Sequence, residues 1–455
     1  MPSLLGAVIA IALSAAPGPD EAALTPPRYV VERIEFHGLE RTREDTVRKH
    51  LAVREGEVLD EERVLVSRLR LAQLRWFASV ETHVERGSAR GLVVLVFDVT
   101  ERNTLSLSEL FIGSTEAQTI YGGFGLAEQN AFGRGIELHG AFVYGGSPAQ
   151  LPLDPARFSV RADLRLAEVN LGLPSRVSLG VSSLWIRGEE FACLDADCGA
   201  FEGSLGQAPR LRYERAGGGA EASVRVGPFS RIGGGIRAEH VEGDFRQGRA
   251  DPASVGALPP LRLGSSTLVA LTATYLRDSR DDVFFPTDGT RLELRGTLGT
   301  RALGGDYEYS RWSLDVETDF GVWRGHALRL LASAGVVQGD APFFERFYAA
   351  DLAYFSIGPA LGRALELNFS TDPRYDAVAA MAGLEYGIPL WRGGRILQRG
   401  YLALGARWVH TTRAPGEWAR TPLSRSPLSA ETALRVDTPV GVFNLSAGYA
   451  LDNGL

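Results

Sequence analysis

PFFERFYAADLAYFSIGPALGR, residues Pro342 to Arg363, decides how the rest of the chain is read. It carries Phe343, Phe344, Phe347, Tyr348, Tyr354 and Phe355 with neither the alternation of a strand nor the polarity of a surface loop. Rings in an irregular segment must still be hidden from water, so this segment has to enter an interior supplied by its neighbours. The neighbours alternate. From about Thr104 onward the chain is a succession of segments in which apolar and polar residues take turns.

Fifteen such segments are predicted, near 104–113, 119–130, 136–145, 157–168, 175–188, 208–226, 230–243, 265–277, 290–300, 306–322, 326–338, 377–389, 401–411, 428–438 and 442–452. Short turns (NAFGRG, NLGLPS, GPFS, DSRDDVFFPTDG, VWRG, PLWRGGR and DTPVG) fall on one side. Long connections at 145–156, 189–207, 244–264, 339–376 and 412–427 fall on the other. Dyad alternation with that parity is the pattern of a transmembrane antiparallel β-barrel, short turns periplasmic and long loops extracellular. Pro342–Arg363 then lies in the sixth extracellular loop, counting the short connections near 113–119 and 300–306, and folds back into the lumen.

Composition agrees. The chain has 455 residues, 45% hydrophobic and 23% charged, with 53 Gly. Its mean hydropathy is -0.04, and no apolar run reaches the ~18 residues of a transmembrane helix, so membrane crossing requires strands. Leu4–Ala16 is a short apolar run ending in small residues, which reads as a signal peptide over residues 1–16, followed by a Pro-rich linker over 17–27. A net charge of -7 gives no basic field for nucleic acid.

Residues 28–102 form a separate unit. RYVVERIEFHG alternates as a strand, and Thr42 with Asp45 suggests a capped helix start before Val47 and Leu51. Leu65, Leu69, Ala72 and Trp76 make one stripe of a second helix, running to Phe77. ASVETHVER and GLVVLVFDVTER close the unit as strands, giving β-α-α-β-β.

A strand ending in HGLERT, the GEVLDEERV helix start, the RWFASV junction and the closing hydrophobic strand together resemble the POTRA domain. In the barrel, EQNAFGRG (Glu128–Gly135), DSRDDVFFPTDGT (Asp278–Thr290), FFERFYAAD (Phe343–Asp351), GLEYGIPL (Gly383–Leu390) and RVDTPVGVFNLSAGYAL (Arg435–Leu451) resemble the BamA/TamA-like superfamily of outer-membrane barrel assembly and translocation proteins, the bacterial surface antigen family. The resemblance implies a small α+β POTRA domain over 28–102 and an outer-membrane β-barrel of about 16 strands over 103–455. The family's sixteenth strand finds no counterpart after DNGL; a C-terminal truncation is the favoured expectation, beside a count one strand short or an unusual closure.

The resemblance also implies a lumen site made of Glu345, Arg346, Phe347, Tyr348, Ser356, Arg363 and Glu385. The loop arginine of the family's tetrad falls on Ser356, and the aspartate of the following strand falls on Ala403. Losing one partner of a buried pair costs about 3–5 kcal/mol, whereas losing both is nearly neutral, so the coupled loss fits a folded barrel. Glu385, the remaining wall carboxylate, is expected to pair with Arg363 or Arg346.

The implied function is assembly, insertion or translocation. The POTRA edge Ser79, Val80, Glu81, Thr82, His83 and Val84 would capture unfolded outer-membrane or secreted client polypeptides by strand addition. Further partners are the outer-membrane lipid bilayer and periplasmic or lipoprotein accessory factors. A passive pore or structural barrel without the loop-arginine lock is the rival reading. Cys193 and Cys198 in a long loop are expected to form a disulfide. Asp278, Asp281, Asp282 and Asp288 lack the order of a calcium loop and read as a turn. The sequence contains no catalytic constellation and implies no cofactor.

Overall fold

The computed structural model describes residues 29–113, 121–146, 155–169, 177–191, 210–246, 260–282, 285–348, 375–421 and 428–451. The proposed signal peptide and linker, Cys193, Cys198, Ser356 and Arg363 lie outside the described residues.

The N-terminal unit comprises β1 (Val30–His37), α1 (Glu44–Arg48), α2 (Glu61–Ala72), β2 (Phe77–Arg86) and β3 (Leu92–Glu101). Its sheet has the order β1-β3-β2, with β1 parallel and β2 antiparallel to β3. The central strand carries the most continuous apolar run, LVVLVF, and Leu95 and Phe97 pack with Val31, Val47, Leu71 and Trp76. Asp60 caps α2 by accepting from the Glu62 and Arg63 amides at 2.9 and 3.3 Å.

Two details differ from the helical pattern. Thr42 does not cap α1, which begins after Arg43 without a side-chain cap. Its amide instead donates to Glu101 (2.8 Å), and its hydroxyl accepts from Asn130 Nδ2 (2.9 Å). The cap is given up for a bond to the barrel. Helix α2 stops at Ala72, short of Trp76, and Leu65 is 47% exposed because the buried face runs through Ser67 and Leu71 instead.

The barrel strands are β4 (Leu105–Gly113), β5 (Tyr121–Ala131), β6 (Ile136–Gly146), β7 (Pro155–Val169), β8 (Val177–Phe191), β9 (Arg210–Arg225) and β10 (Ser230–Arg246). They continue as β11 (Gly264–Asp278), β12 (Gly289–Gly299), β13 (Tyr309–Gly321) and β14 (Ala327–Gly339). After a two-stranded ribbon, β15 (Phe347–Tyr348) with β16 (Tyr375–Asp376), come β17 (Val378–Arg392), β18 (Arg399–Thr412), β19 (Leu428–Thr438) and β20 (Gly441–Leu451). Fifteen strands form one antiparallel sheet in chain order from β4 to β20, the ribbon standing apart. No ladder joins β4 to β20 among the described residues, although the Leu107 amide donates to the Val440 carbonyl at 2.9 Å.

The two faces of this sheet have opposite chemistry. Trp312, Leu314, Leu330, Leu384 and Leu404 stand exposed on one, where lipid would solvate them. Asp319, Arg329, Glu385 and Arg435 lie on the other and bond one another.

The N-terminal unit docks on the rim formed by the short turns. Trp76 Nε1 donates to the Gln129 carbonyl (2.8 Å), Arg70 Nε to Pro228 (2.9 Å), and Gln73 Nε2 to Asp278 and Arg280 (3.1 Å each). The Arg43 amide donates to the Gly133 carbonyl (3.1 Å). Gly133 has φ +67°, and a Cβ there would run into the Arg41 carbonyl, so only glycine fits.

Candidate functional site

The loop segment that opened the sequence reading enters the barrel. Phe343–Glu345 forms one 3-10 turn, begun by the Phe343 amide donating to Pro260 at 2.6 Å. Phe343 stands edge-on to Tyr213, ring centroids 5.0 Å apart, within a cluster that includes Leu211, Val241, Leu268 and Tyr309 from the inner wall. The Arg215 guanidinium lies 3.7 Å from the Phe344 ring centroid. Phe347 occupies the space that the missing side chain of Gly335 leaves, and Arg311 stands over its ring at 5.1 Å.

Glu345 is the ionic centre of this contact. Its carboxylate accepts from Arg237 Nη2 and lies 3.8 Å from Arg311. Arg237 also reaches Glu239 (3.2 Å), and Glu239 accepts from Arg215 through Nε (2.9 Å) and Nη2 (2.6 Å). The charges therefore alternate, Arg215, Glu239, Arg237, Glu345, Arg311, from wall to loop and back to wall. With Arg215, Glu239 and Glu345 buried, this pairing offsets their desolvation. The lock implied by resemblance has an arginine on the loop and carboxylates on the wall. Here the described part of the loop supplies the carboxylate and the wall supplies the arginines.

Glu385 sits elsewhere. Its two oxygens accept from Arg435 at 2.7 and 2.5 Å, and Arg329 adds a third bond at 3.3 Å while itself donating to Asp319 at 2.8 Å. Glu385 is therefore held by the wall, and the expected pairing with Arg346 is not found; Arg346 Nε donates to the Ala341 carbonyl at 3.4 Å. The reason lies on the strand between them. Strand β18 presents Ala403 and Gly405 on the inner face, opposite Gly387 and Glu385, and these small residues leave room for Arg435 to reach across from β19. Tyr348 faces Tyr375 in the β15–β16 ribbon.

Arg237, Arg311 and Arg435 were not singled out from the sequence. The available signal was parity: a transmembrane strand can carry charge only on its inner face, so alternate arginines and carboxylates, as in Glu431, Arg435 and Asp437, mark that face.

The third part of the site is the edge of the N-terminal sheet. Strand β2 is an edge, pairing only with β3 among the described residues. Val80 turns into the core, whereas Val84 is exposed. Ser79 Oγ donates to Thr100 Oγ1 (3.1 Å), Glu81 and Thr82 stand opposite Asp98 and Phe97, and His83 lies 2.8 Å from Asp98 and 3.2 Å from Glu85. The Glu85 carboxylate, with Asp98 beside it, raises the His83 imidazole above its ordinary value.

The start of β2 faces the barrel rim. Phe77, Ser79, Arg102, Asp282 and Arg399 line one small cleft. Asp437 of β19 binds Arg102 (3.1 Å) and Arg399 (2.9 Å), and Arg399 binds Asp282 (2.6 Å). Phe285 stacks on Tyr401 at 4.6 Å in the same mouth. Asp281 accepts from the Thr287 and Asp288 amides at 2.8 and 3.2 Å, closing the acidic turn on itself. Among the described residues no cluster suits a metal ion.

Residues 29–102 match the POTRA family, described as surface antigen variable number repeat. Residues 130–454 match the Omp85 superfamily domain. The chain is 24% identical over 329 residues to the outer membrane protein assembly factor BamA of Nitratidesulfovibrio vulgaris, an alignment covering 70% of this chain and 36% of that protein's length. Two solved structures are similar in fold. CdiB from Escherichia coli has a TM-score of 0.60 at 13% identity, covering 93% of this chain and 73% of that one. CdiB from Acinetobacter baumannii has a TM-score of 0.53 at 12% identity, covering 93% and 71%. This chain belongs to the Omp85 superfamily, an outer-membrane barrel with its POTRA domain on the periplasmic side.

Proposed function

We propose that this protein inserts or translocates unfolded client polypeptides at the outer membrane, the POTRA edge β2 receiving the client as an added strand. One juxtaposition carries the reading. The edge of β2 begins at the rim where Arg102 reaches Asp437, three residues before β4, the strand that no ladder joins to β20 among the described residues. A strand template and a barrel seam thus share one rim. Unpaired edges recruit strands in water, and lipid tolerates none, so a client strand would be stabilised at both places.

The test is client insertion by the full chain in proteoliposomes, read as protease protection of an added urea-unfolded barrel protein. Lysine at Thr82 and Val84 blocks edge pairing. The double variant is expected to slow insertion by about tenfold, the effect of roughly 1.4 kcal/mol of lost pairing. Insertion at the wild-type rate, by this variant or after deletion of residues 28–102, would sink the proposal.

The seating of Phe343–Tyr348 in the lumen favours this reading over a passive pore. Planar bilayers separate the two: a filled lumen gives brief, small openings, and a steady large conductance would favour the pore.

A further inference from the structure

Two adjoining periplasmic turns are built alike. Residues 320–327, FGVWRGHA, join β13 to β14, and residues 389–398, PLWRGGRILQ, join β17 to β18, which begins at Arg399. They are neighbours because β14 pairs with β17, Ala327 opposite Gly387. Both tips are apolar and project into solvent: Trp323 is 60% exposed, Ile396 72% and Leu397 52%. Neither segment contains a carboxylate, yet together they hold Arg324, Arg392 and Arg395.

On the adjacent acidic turn arginine is answered by carboxylates, Arg280 binding Asp278 at 2.7 Å and Glu317 at 3.2 Å. On these two turns it is not. The Arg324 guanidinium lies 4.7 Å from the Trp323 ring centroid, and Arg392 donates to the neutral Tyr401 hydroxyl at 3.2 Å. Among the described residues none of the three arginines makes an ion pair. The turns also continue the lipid-facing side of the sheet, where Phe320, Leu330, Leu384 and Leu390 stand exposed.

A planar guanidinium without a carboxylate, beside apolar side chains at a bilayer boundary, matches a lipid phosphate. We propose that these turns bind anionic phospholipid of the periplasmic leaflet, Trp323, Ile396 and Leu397 entering the acyl boundary while Arg324, Arg392 and Arg395 hold phosphate. The site lies on β13–β18, away from the β4–β20 seam, and anchors the barrel on that side.

The experiment uses the full chain folded into vesicles of phosphatidylcholine, alone or mixed with phosphatidylglycerol. Wild type is expected to unfold at higher urea in the anionic mixture, with added salt shrinking the shift. The Arg324→Gln, Arg392→Gln, Arg395→Gln variant should match wild type in phosphatidylcholine and lose the shift. Each arginine is expected to contribute about fivefold to the lipid-binding equilibrium, on the order of a hundredfold together. A second measurement does not depend on that variant folding: quenching by phospholipid brominated near the head group should fall in Trp323→Phe. Indifference of wild type to phosphatidylglycerol, a full shift in the triple variant, or unchanged quenching overturns the proposal. So does crosslinking of the turns to an unfolded polypeptide without any lipid effect, which would make the occupant a protein.

Discussion

The POTRA interior and the barrel interior solve opposite problems. The first is apolar, Leu71, Trp76, Leu95 and Phe97 packed together, because water surrounds the unit and burial is its main stabilisation. The second sets a lattice of arginines and carboxylates beside the apolar cluster around Phe343, because charge on a barrel strand has to face away from lipid. A buried ionic residue is thus an exception in one region and the rule in the other. The same contrast governs what each can tolerate, and it can be put under strain by mutation.

The largest effect is expected at Trp76, which fills the POTRA core and also bonds the barrel turn at Gln129. Trp76→Ala should cost the domain about 4 kcal/mol, with a somewhat larger loss when the barrel is attached. Urea unfolding of the full chain, followed by proteolysis of the POTRA domain, measures it. An effect under ~1 kcal/mol would mean that the interior is not held by apolar packing.

Glu345→Gln tests the other half. It leaves half-buried Arg311 and Arg237 without the carboxylate they share, at a cost of about 3 kcal/mol. Replacing Glu345 and Arg237 together by leucine should recover part of that loss, as a paired removal does and a single one does not. The readout is the heat-induced mobility shift of the folded barrel, with conductance reporting whether the loop has left the lumen. If the pair replacement is as harmful as both single losses summed, charge pairing is not what seats the loop.

Glu385→Gln should cost less, about 2 kcal/mol, because Arg329 keeps Asp319 as a partner and only Arg435 loses its fork. Its signature is a weaker β17–β19 wall with the loop still seated, read as barrel unfolding without new conductance.

The smallest effect is a pH dependence confined to POTRA. Burial, followed by the nearby Arg225, Arg231 and Arg70, holds the His50 imidazole well below its ordinary value. The folded domain therefore keeps His50 neutral while the unfolded chain protonates near pH 6.5, so unfolding takes up a proton. Stability from this source is fully present above about pH 6.5 and falls as the pH drops towards the folded value, by at most ~1.4 kcal/mol per unit. His50→Gln should flatten the slope of domain stability between about pH 6.5 and 5; an unchanged slope would place the titration elsewhere.

Much of this contrast was legible in the sequence because it is written in periodicity. Dyad alternation located all fifteen barrel strands within a few residues, including β19 at Leu428–Thr438 with the expected ends. The resemblance of FFERFYAAD pointed to a lumen-inserted loop. What the sequence did not yield was pairing. Glu345 was a candidate, but its partners Arg237 and Arg311 lie 108 and 34 positions away, and only the stagger of the barrel brings them together. Arg435 reaches Glu385 across a whole strand because Ala403 and Gly405 are small, a relation that exists between strands and not along them. Thr42 failed as a cap for the same kind of reason: its hydroxyl has a better use 88 residues away.

That last bond bears on how far the domain can be treated as a module. Thr42, Arg43 and Trp76 all bind the single turn that contains Gln129, Asn130 and Gly133. A chimaera that exchanges residues 28–102 alone would graft a surface onto a mismatched socket. One that carries the β5–β6 turn along with the domain transplants both sides of the joint, so the unit of exchange is discontinuous in the chain.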